Sequence, residues 1–279
     1  MVATVNSAAI GRILRPRNRS GVATLETINI KSFNEFIDKC TGKKFGCGHV
    51  VYRGVHDANK HKLIPSVGRV DRFKNDEVTW LSLKQHEKEI LRTFRLRSRG
   101  LVSPALKAKW EWLALAQHHG LPTRLLDWTV SPLVALYFAT EPTLDPRTGS
   151  RKRPEAEYAG VYALHDCSYI NLRKHSNPFK CREPGIFLPP HVTPRITGQG
   201  GLFTIQPDPA EELQHSFESE HDDERWIKLY RFGADLVTQI QKTLHLLGIR
   251  RSLLFPELDG IAREIKVRHN LSDCYIDRN

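Results

Sequence analysis

At 279 residues the chain is long enough to bury a substantial core, so it has no need of disulfide staples. Its 42 Lys and Arg outnumber 31 Asp and Glu, and the resulting charge of +11 favours a nucleic-acid or acidic protein target without naming one. Five cysteines without a CxxC pair fit a reducing, cytoplasmic setting, and no apolar run reaches the length of a membrane span.

Residues 1–10 lack the charged start and apolar block of a secretory signal. Arg12, Arg15, Arg17 and Arg19 then fall among polar residues and Pro16, which predicts a flexible Arg-rich segment over 1–24. Ile30, Phe33, Phe36 and Ile37 recur at helical spacing and predict a helix over 28–40, with Ser32 available as a cap. Cys40, Cys47 and His49 match no zinc-binding spacing, so no metal site is expected. The β-prone run His49-Val50-Val51-Tyr52 predicts a short strand that stops at Arg53-Gly54.

A charged helix is predicted over 77–97, with Trp80, Leu83, His86, Ile90 and Phe94 on one stripe, and a second over 104–119, stopped by Gly120. The stretch 127–139 reads as a buried helix opened by Asp127 and Thr129, with Pro132 near its start. A Pro-rich surface loop over 144–157 precedes a strand at 160–164. Further strands are expected at 202–205 and 226–230, with an acidic loop or short helix over 207–225 between them. Helices over 234–248 and 258–267 complete the chain. There is no internal repeat and no evident linker, so 25–279 reads as a single domain.

Two stretches carry chemistry. Arg53, between Tyr52 and Gly54, offers a planar guanidinium suited to phosphate or carboxylate, although a surface arginine at a strand end is the simpler reading. From Gln117 to Thr129, polar groups lie densely between two apolar helices and must be hydrogen-bonded or face a cavity. In a structural reading Asp127 caps its helix, Arg124 pairs with a carboxylate and His118 and His119 are core residues. In a functional one Thr123, Arg124 and nearby amides meet an anion. No Gly-flanked nucleophilic serine, phosphate loop or dinucleotide fingerprint is present, which argues against a Ser-His-Asp hydrolase, an ATPase and a hydride-transfer enzyme.

Tyr52-Arg53-Gly54 and the long string from Leu113 through Gln117-His118-His119-Gly120, Thr123-Arg124, Asp127-Trp128-Thr129 and Ser131-Pro132 to Ala139 resemble the FRG domain, with weaker echoes at 199–204 and 255–260. The resemblance runs over about Ile28 to Val267 and takes 25–279 as one FRG domain. The family's motif order is similar to that of Arg-Ser-Glu-type ADP-ribosyltransferases. It implies an α+β fold, an ADP-ribosyltransferase-like β core with surrounding amphipathic helices, and NAD as substrate. By that resemblance Arg53, Ser131 and Gln199 hold the catalytic positions, and Tyr52, Arg53, Gly54, His118, Thr123, Arg124, Asp127 and Thr129 line the cofactor site. The implied protein is a toxin or defence effector, such as one acting against phage, that modifies a macromolecule. Gln199-Gly200-Gly201 stands where the pattern has a glutamate, and a neutral amide cannot offset a developing cation; Glu183 and Glu257 are the carboxylates considered in its place. A non-catalytic nucleotide or nucleic-acid binding module using the same pocket is the alternative.

Overall fold

The computed structural model describes residues 25–41, 50–69, 80–102, 106–145, 155–165, 167–189, 198–216 and 227–269. The predicted flexible segment 1–24, Cys47, His49 and most of the 144–157 loop lie outside them.

Seven strands form one mixed sheet: β1 (Glu26–Ile30), β2 (Val50–Val55), β3 (Leu125–Thr129), β4 (Tyr158–His165), β5 (Gly185–Phe187), β6 (Gly201–Ile205) and β7 (Ile227–Gly233). Their spatial order is β1-β7-β4-β2-β3-β6-β5. Among these strands β1 and β7 run parallel and the other pairings are antiparallel, with an isolated parallel bridge between Tyr169 and Ile186. The interior of β4 is buried at every position, as befits a strand covered on both faces. On β2 the alternation sends Tyr52 to a core with Phe36, Leu136 and Tyr230, while Val51 and Val55 join Leu126, Trp128, Tyr162 and Leu164 on the opposite side.

Seven α-helices surround the sheet among the described residues: α1 (Phe33–Thr41), α2 (Trp80–Ser98), α3 (Lys109–His118), α4 (Pro132–Thr140), α5 (Ala234–Leu246), α6 (Arg251–Leu254) and α7 (Leu258–His269). Ser32 does cap α1: its hydroxyl accepts from Glu35 N at 3.1 Å, and Glu35 returns a carboxylate to Lys31 N at 2.8 Å. The residues before that cap are strand rather than helix. Thr27, Ile28 and Ile30 are β-branched and pair along β7, so the predicted helix over 28–40 divides at Lys31.

A similar division occurs at 127–139. Asp127 and Thr129 belong to β3, which pairs with β6 over its whole length, and the helix is opened instead by Ser131, whose hydroxyl accepts from Val134 N at 3.3 Å with Pro132 following. Helix α3 starts at Lys109, later than predicted, where the Glu111 carboxylate takes the amides of Lys107 and Ala108; it ends before Gly120 at φ 79°.

Gly54 fixes how α4 lies on the sheet. A Cβ there would stand 1.9 Å from Ala135 O and 2.6 Å from Ala139 N, so helix and strand approach closely because Gly54, Ala135 and Ala139 are all small. Gly54→Ala must push α4 off β2, and a loss of about 3 kcal/mol or more is expected in urea denaturation, whereas the same change at Gly233, which has open space, costs far less.

Candidate functional site

Arg53 lies inside β2, not at a strand end, because the strand continues through Val55. The β2–β3 ladder is registered at one pair, Tyr52 with Thr129. Beyond it the strands part, and Arg53 bridges them: its Nη1 donates to the Asp127 carbonyl at 2.7 Å and lies 3.6 Å from the Asp127 carboxylate. The arginine side chain is 18% exposed and the aspartate 58%, so this pair sits at an accessible edge, where water screens the attraction and its own stability contribution is small.

The carboxylate is held from the other side by the loop after α3. Thr123 Oγ1 donates to Gln117 Oε1 at 2.6 Å, which orients the amide so that Nε2 donates to Asp127 Oδ2 at 2.8 Å. Thr123 also carries a second segment. Its amide donates to Ser66 Oγ at 3.0 Å, its carbonyl accepts from Ser66 Oγ at 3.3 Å and from Val67 N at 3.2 Å, and so the turn Ser66–Arg69 is docked on it. Gly68 lies so close to Pro209 that a Cβ would meet the Pro209 carbonyl at 1.8 Å. The turn is therefore fixed from two sides, and it delivers Arg69 to the neighbourhood of Arg53 and Asp127. Burial of the Arg69 guanidinium, followed by repulsion from Arg53, lowers its pKa, with Asp127 opposing.

His61 completes this neighbourhood. Its Nδ1 accepts from Asp57 N at 3.2 Å, which leaves Nε2–H as the donor in the neutral ring. Burial lowers its pKa first; Asp57 opposes, while His56, Arg69 and Arg53 push the same way as burial. Tyr162, the β4 neighbour of Arg53, donates its hydroxyl to the His61 carbonyl at 3.0 Å. Burial chiefly, then the charge of Glu212, pushes that hydroxyl up to about 12, so it stays protonated and keeps donating.

The remaining sequence-selected residues divide. Arg124 is fully buried, and Glu87 of α2 receives it by Nε at 2.9 Å, by Nη2 at 2.7 Å and by the backbone amide at 3.1 Å, as the structural reading had it. Its guanidinium faces Phe179 at 5.2 Å rather than an open surface. Tyr52 is buried beside Cys40, and burial raises both groups, the thiol to about 12. Gly54 is filled by α4 rather than open to a ligand. His118 ends α3 with its ring edge-on to His119 at 5.0 Å. Thr129 donates to the Gln199 carbonyl at 2.7 Å and accepts from Ser131 N, while the Gln199 amide donates to the Leu254 carbonyl at 2.9 Å; with the Ser131 cap, these three close the junction between β3, α4 and α6. Neither Glu183 nor Glu257 is seen beside Arg53; the carboxylate there is Asp127.

Residues 48–148 match the family model of the FRG domain. The FRG match is shorter than the resemblance from Ile28 to Val267, yet it contains Arg53, His61, Ser66, Arg69, Gln117, Thr123 and Asp127; of the network just described, Tyr162, Pro209 and Glu212 lie beyond it. No curated protein and no solved structure matches the chain. Arg69, Ser66 and His61 were not selected from the sequence, because each acquires its place through a contact distant in the chain; Ser66 and Thr123 are 57 residues apart.

The FRG segment depends on the Arg124–Glu87 pair. Arg124→Met leaves a buried carboxylate with the backbone amide of residue 124 but no cation, and is expected to cost about 3–5 kcal/mol in chemical denaturation, with part of that loss recovered when Glu87→Gln, which can still accept from that amide, is added.

Proposed function

We propose that the chain is an NAD-consuming, ADP-ribosyltransferase-like protein whose reaction centre is the gap between β2 and β3. The observation that supports this reading best is the Arg53–Asp127–Gln117 arrangement: a cation fit for a phosphate oxygen stands beside a positioned, accessible carboxylate at a parting of two strands. On this reading the sheet serves as an ADP-ribosyltransferase-like core.

Arg53 holds a phosphate of NAD, and Asp127 supplies the negative charge that the amide at Gln199 lacks. As the bond between ribose C1′ and the nicotinamide nitrogen breaks, the bonding pair leaves with nicotinamide and positive charge grows on the ribose, where a fixed carboxylate is worth most. Water or a nucleophile of a macromolecular target then bonds to C1′ and releases a proton. The excess of basic residues suits an acidic protein or nucleic acid as that target, and a cytoplasmic toxin or defence effector is the corresponding role.

A second reading, a nucleotide-binding module without catalysis, is favoured by one observation. The Gln199 amide and the Ser131 hydroxyl are both spent on the scaffold, the first on Leu254 and the second on the α4 cap.

Nicotinamide release by the purified protein, with and without cell extract and nucleic acid, separates the two. Wild-type turnover is expected, falling about 100-fold or more in Arg53→Ala and in Asp127→Asn without a change in fold. Turnover unaffected by Arg53→Ala removes the NAD reading, and saturable nucleotide binding with no turnover in any condition establishes the binding module.

A further inference from the structure

Helix α7 stands on the domain with a polar side inward. Gly260 is buried, so close to the end of α6 that a Cβ would meet the Phe255 carbonyl at 1.9 Å. One turn on, Glu264 accepts from the Ser252 amide at 2.7 Å, and beside it Arg263 Nε lies 3.7 Å from the Glu141 carboxylate. Val267, a turn later, lines with Glu264 a cavity shared with Tyr137 and Leu244. Gly260, Glu264 and Val267 have the i, i+4, i+7 spacing of a single helix face, and that face is the one the domain holds.

The opposite face is aliphatic. Leu258, Ile261, Ala262 and Ile265 recur at i, i+3, i+4 and i+7, and all four are exposed, Leu258 by 83%, Ile261 by 42% and Ile265 by 50%. A surface helix ordinarily turns such a stripe to the core. Single exposed leucines need no explanation. Three large aliphatic side chains in one line, on a helix held to its domain by a glutamate, form a patch of the kind that a partner covers.

The pattern of the stripe points to a copy of itself. Large residues stand at its two ends, Leu258 and Ile265, and the small Ala262 lies next to its middle. Turned end over end about an axis through Ile261 and Ala262, the stripe fits itself: Leu258 falls against Ile265 of the second copy, and Ala262 leaves room for the helices to approach. The charges have the same symmetry. Glu257 and Asp259 lie at the amino end of α7 and Lys266 lies toward its carboxyl end. A parallel mate would set like charge beside like, whereas an antiparallel one sets acid beside base and aligns the two helix dipoles favourably.

We infer that α7 is the contact helix of a homodimer, in which two copies of the chain pair antiparallel through Leu258, Ile261, Ala262 and Ile265 about a two-fold axis at Ile261 and Ala262. One helix pair is a contact at the small end of protein interfaces, so the dimer forms reversibly. The pairing uses no residue of the gap between β2 and β3, and it stands or falls apart from the NAD reading.

Sedimentation equilibrium of the full chain from about 1 to 200 μM tests the pairing, with a reversible monomer–dimer equilibrium and a dissociation constant on the order of 10 μM expected. Ala262→Arg, which sets two guanidinium groups face to face at the axis, should weaken the dimer about 100-fold or more, and Leu258→Ala about tenfold. Both positions are exposed in the single chain, so unchanged melting profiles in dilute solution are expected and assign the loss to the contact. Under mild oxidation Ala262→Cys should link two chains above the wild-type background. Ile265→Cys should not, because an antiparallel pair sets the two copies of that position about 10 Å apart along the helices. A wild-type chain monomeric throughout, a dimer indifferent to Ala262→Arg, or Ile265→Cys linking as readily as Ala262→Cys overturns the proposal. A chain that stays monomeric and binds vesicles of anionic phospholipid, with that binding lost in Leu258→Ala, also overturns it and gives the stripe to a membrane surface.

Discussion

The buried ion pair between Arg124 and Glu87 is the constraint on which the candidate site depends. Glu87 stands in the middle of α2, where Leu83 and Leu91 one turn to either side are buried with it, and it receives both the guanidinium and the amide of Arg124. That fixes the backbone at the point where the chain leaves the loop after α3 and begins β3. Such a pair adds little net stability, since removing two charges from water costs about as much as their attraction returns. What it supplies is position: Thr123, one residue earlier, is held where its hydroxyl, amide and carbonyl reach Gln117, Ser66 and Val67.

From Thr123 the order spreads in two directions. Through Gln117 it reaches the Asp127 carboxylate, and through Ser66 and Val67 it reaches the turn carrying Arg69. Arg53 enters from the sheet. The β2–β3 ladder registers Tyr52 with Thr129, and beside that pair the Arg53 guanidinium donates to the Asp127 carbonyl. One arginine therefore ties β2 to β3 and presents charge at the edge between them.

Much of the scaffold was legible because its signals were local. The Gly120 and Gly248 stops, the apolar run of α4 and the β-prone 160–164 segment each correspond to an element found near its predicted place. The misses share one cause, a local pattern consistent with two structures. Ile28 and Ile30 fit the spacing of a helix and of a strand, and pairing with β7 decided for the strand. Asp127 and Thr129 look like a helix opening, but pairing with β6 extends β3 through them and leaves Ser131 to cap. Helix α2 was read as a charged helix with an apolar stripe, yet a glutamate lies in its buried face, which no hydropathy pattern reports. Of the site, Arg53, Thr123 and Asp127 were visible as unusual polar residues in an apolar setting. Arg69 was invisible, because nothing around it in sequence distinguishes it from many other arginines of a basic chain.

The position of Gln199 follows from the same contest between local pattern and tertiary demand. By resemblance it opens a third motif, where the pattern has a glutamate. Its carbonyl is instead the acceptor for Thr129, and its amide reaches the end of α6 at Leu254, a contact also crowded by Gly198, whose Cβ would lie 2.9 Å from the Leu253 carbonyl. A carboxylate at this position would turn an acceptor toward the Leu254 carbonyl and lose the bond. An amide is the side chain that this junction needs. The accessible carboxylate beside Arg53 is Asp127, in the FRG segment itself, fixed by Gln117. The chain thus keeps the polar chemistry of the gap within one matched segment and uses the later strands and helices to hold that gap in shape.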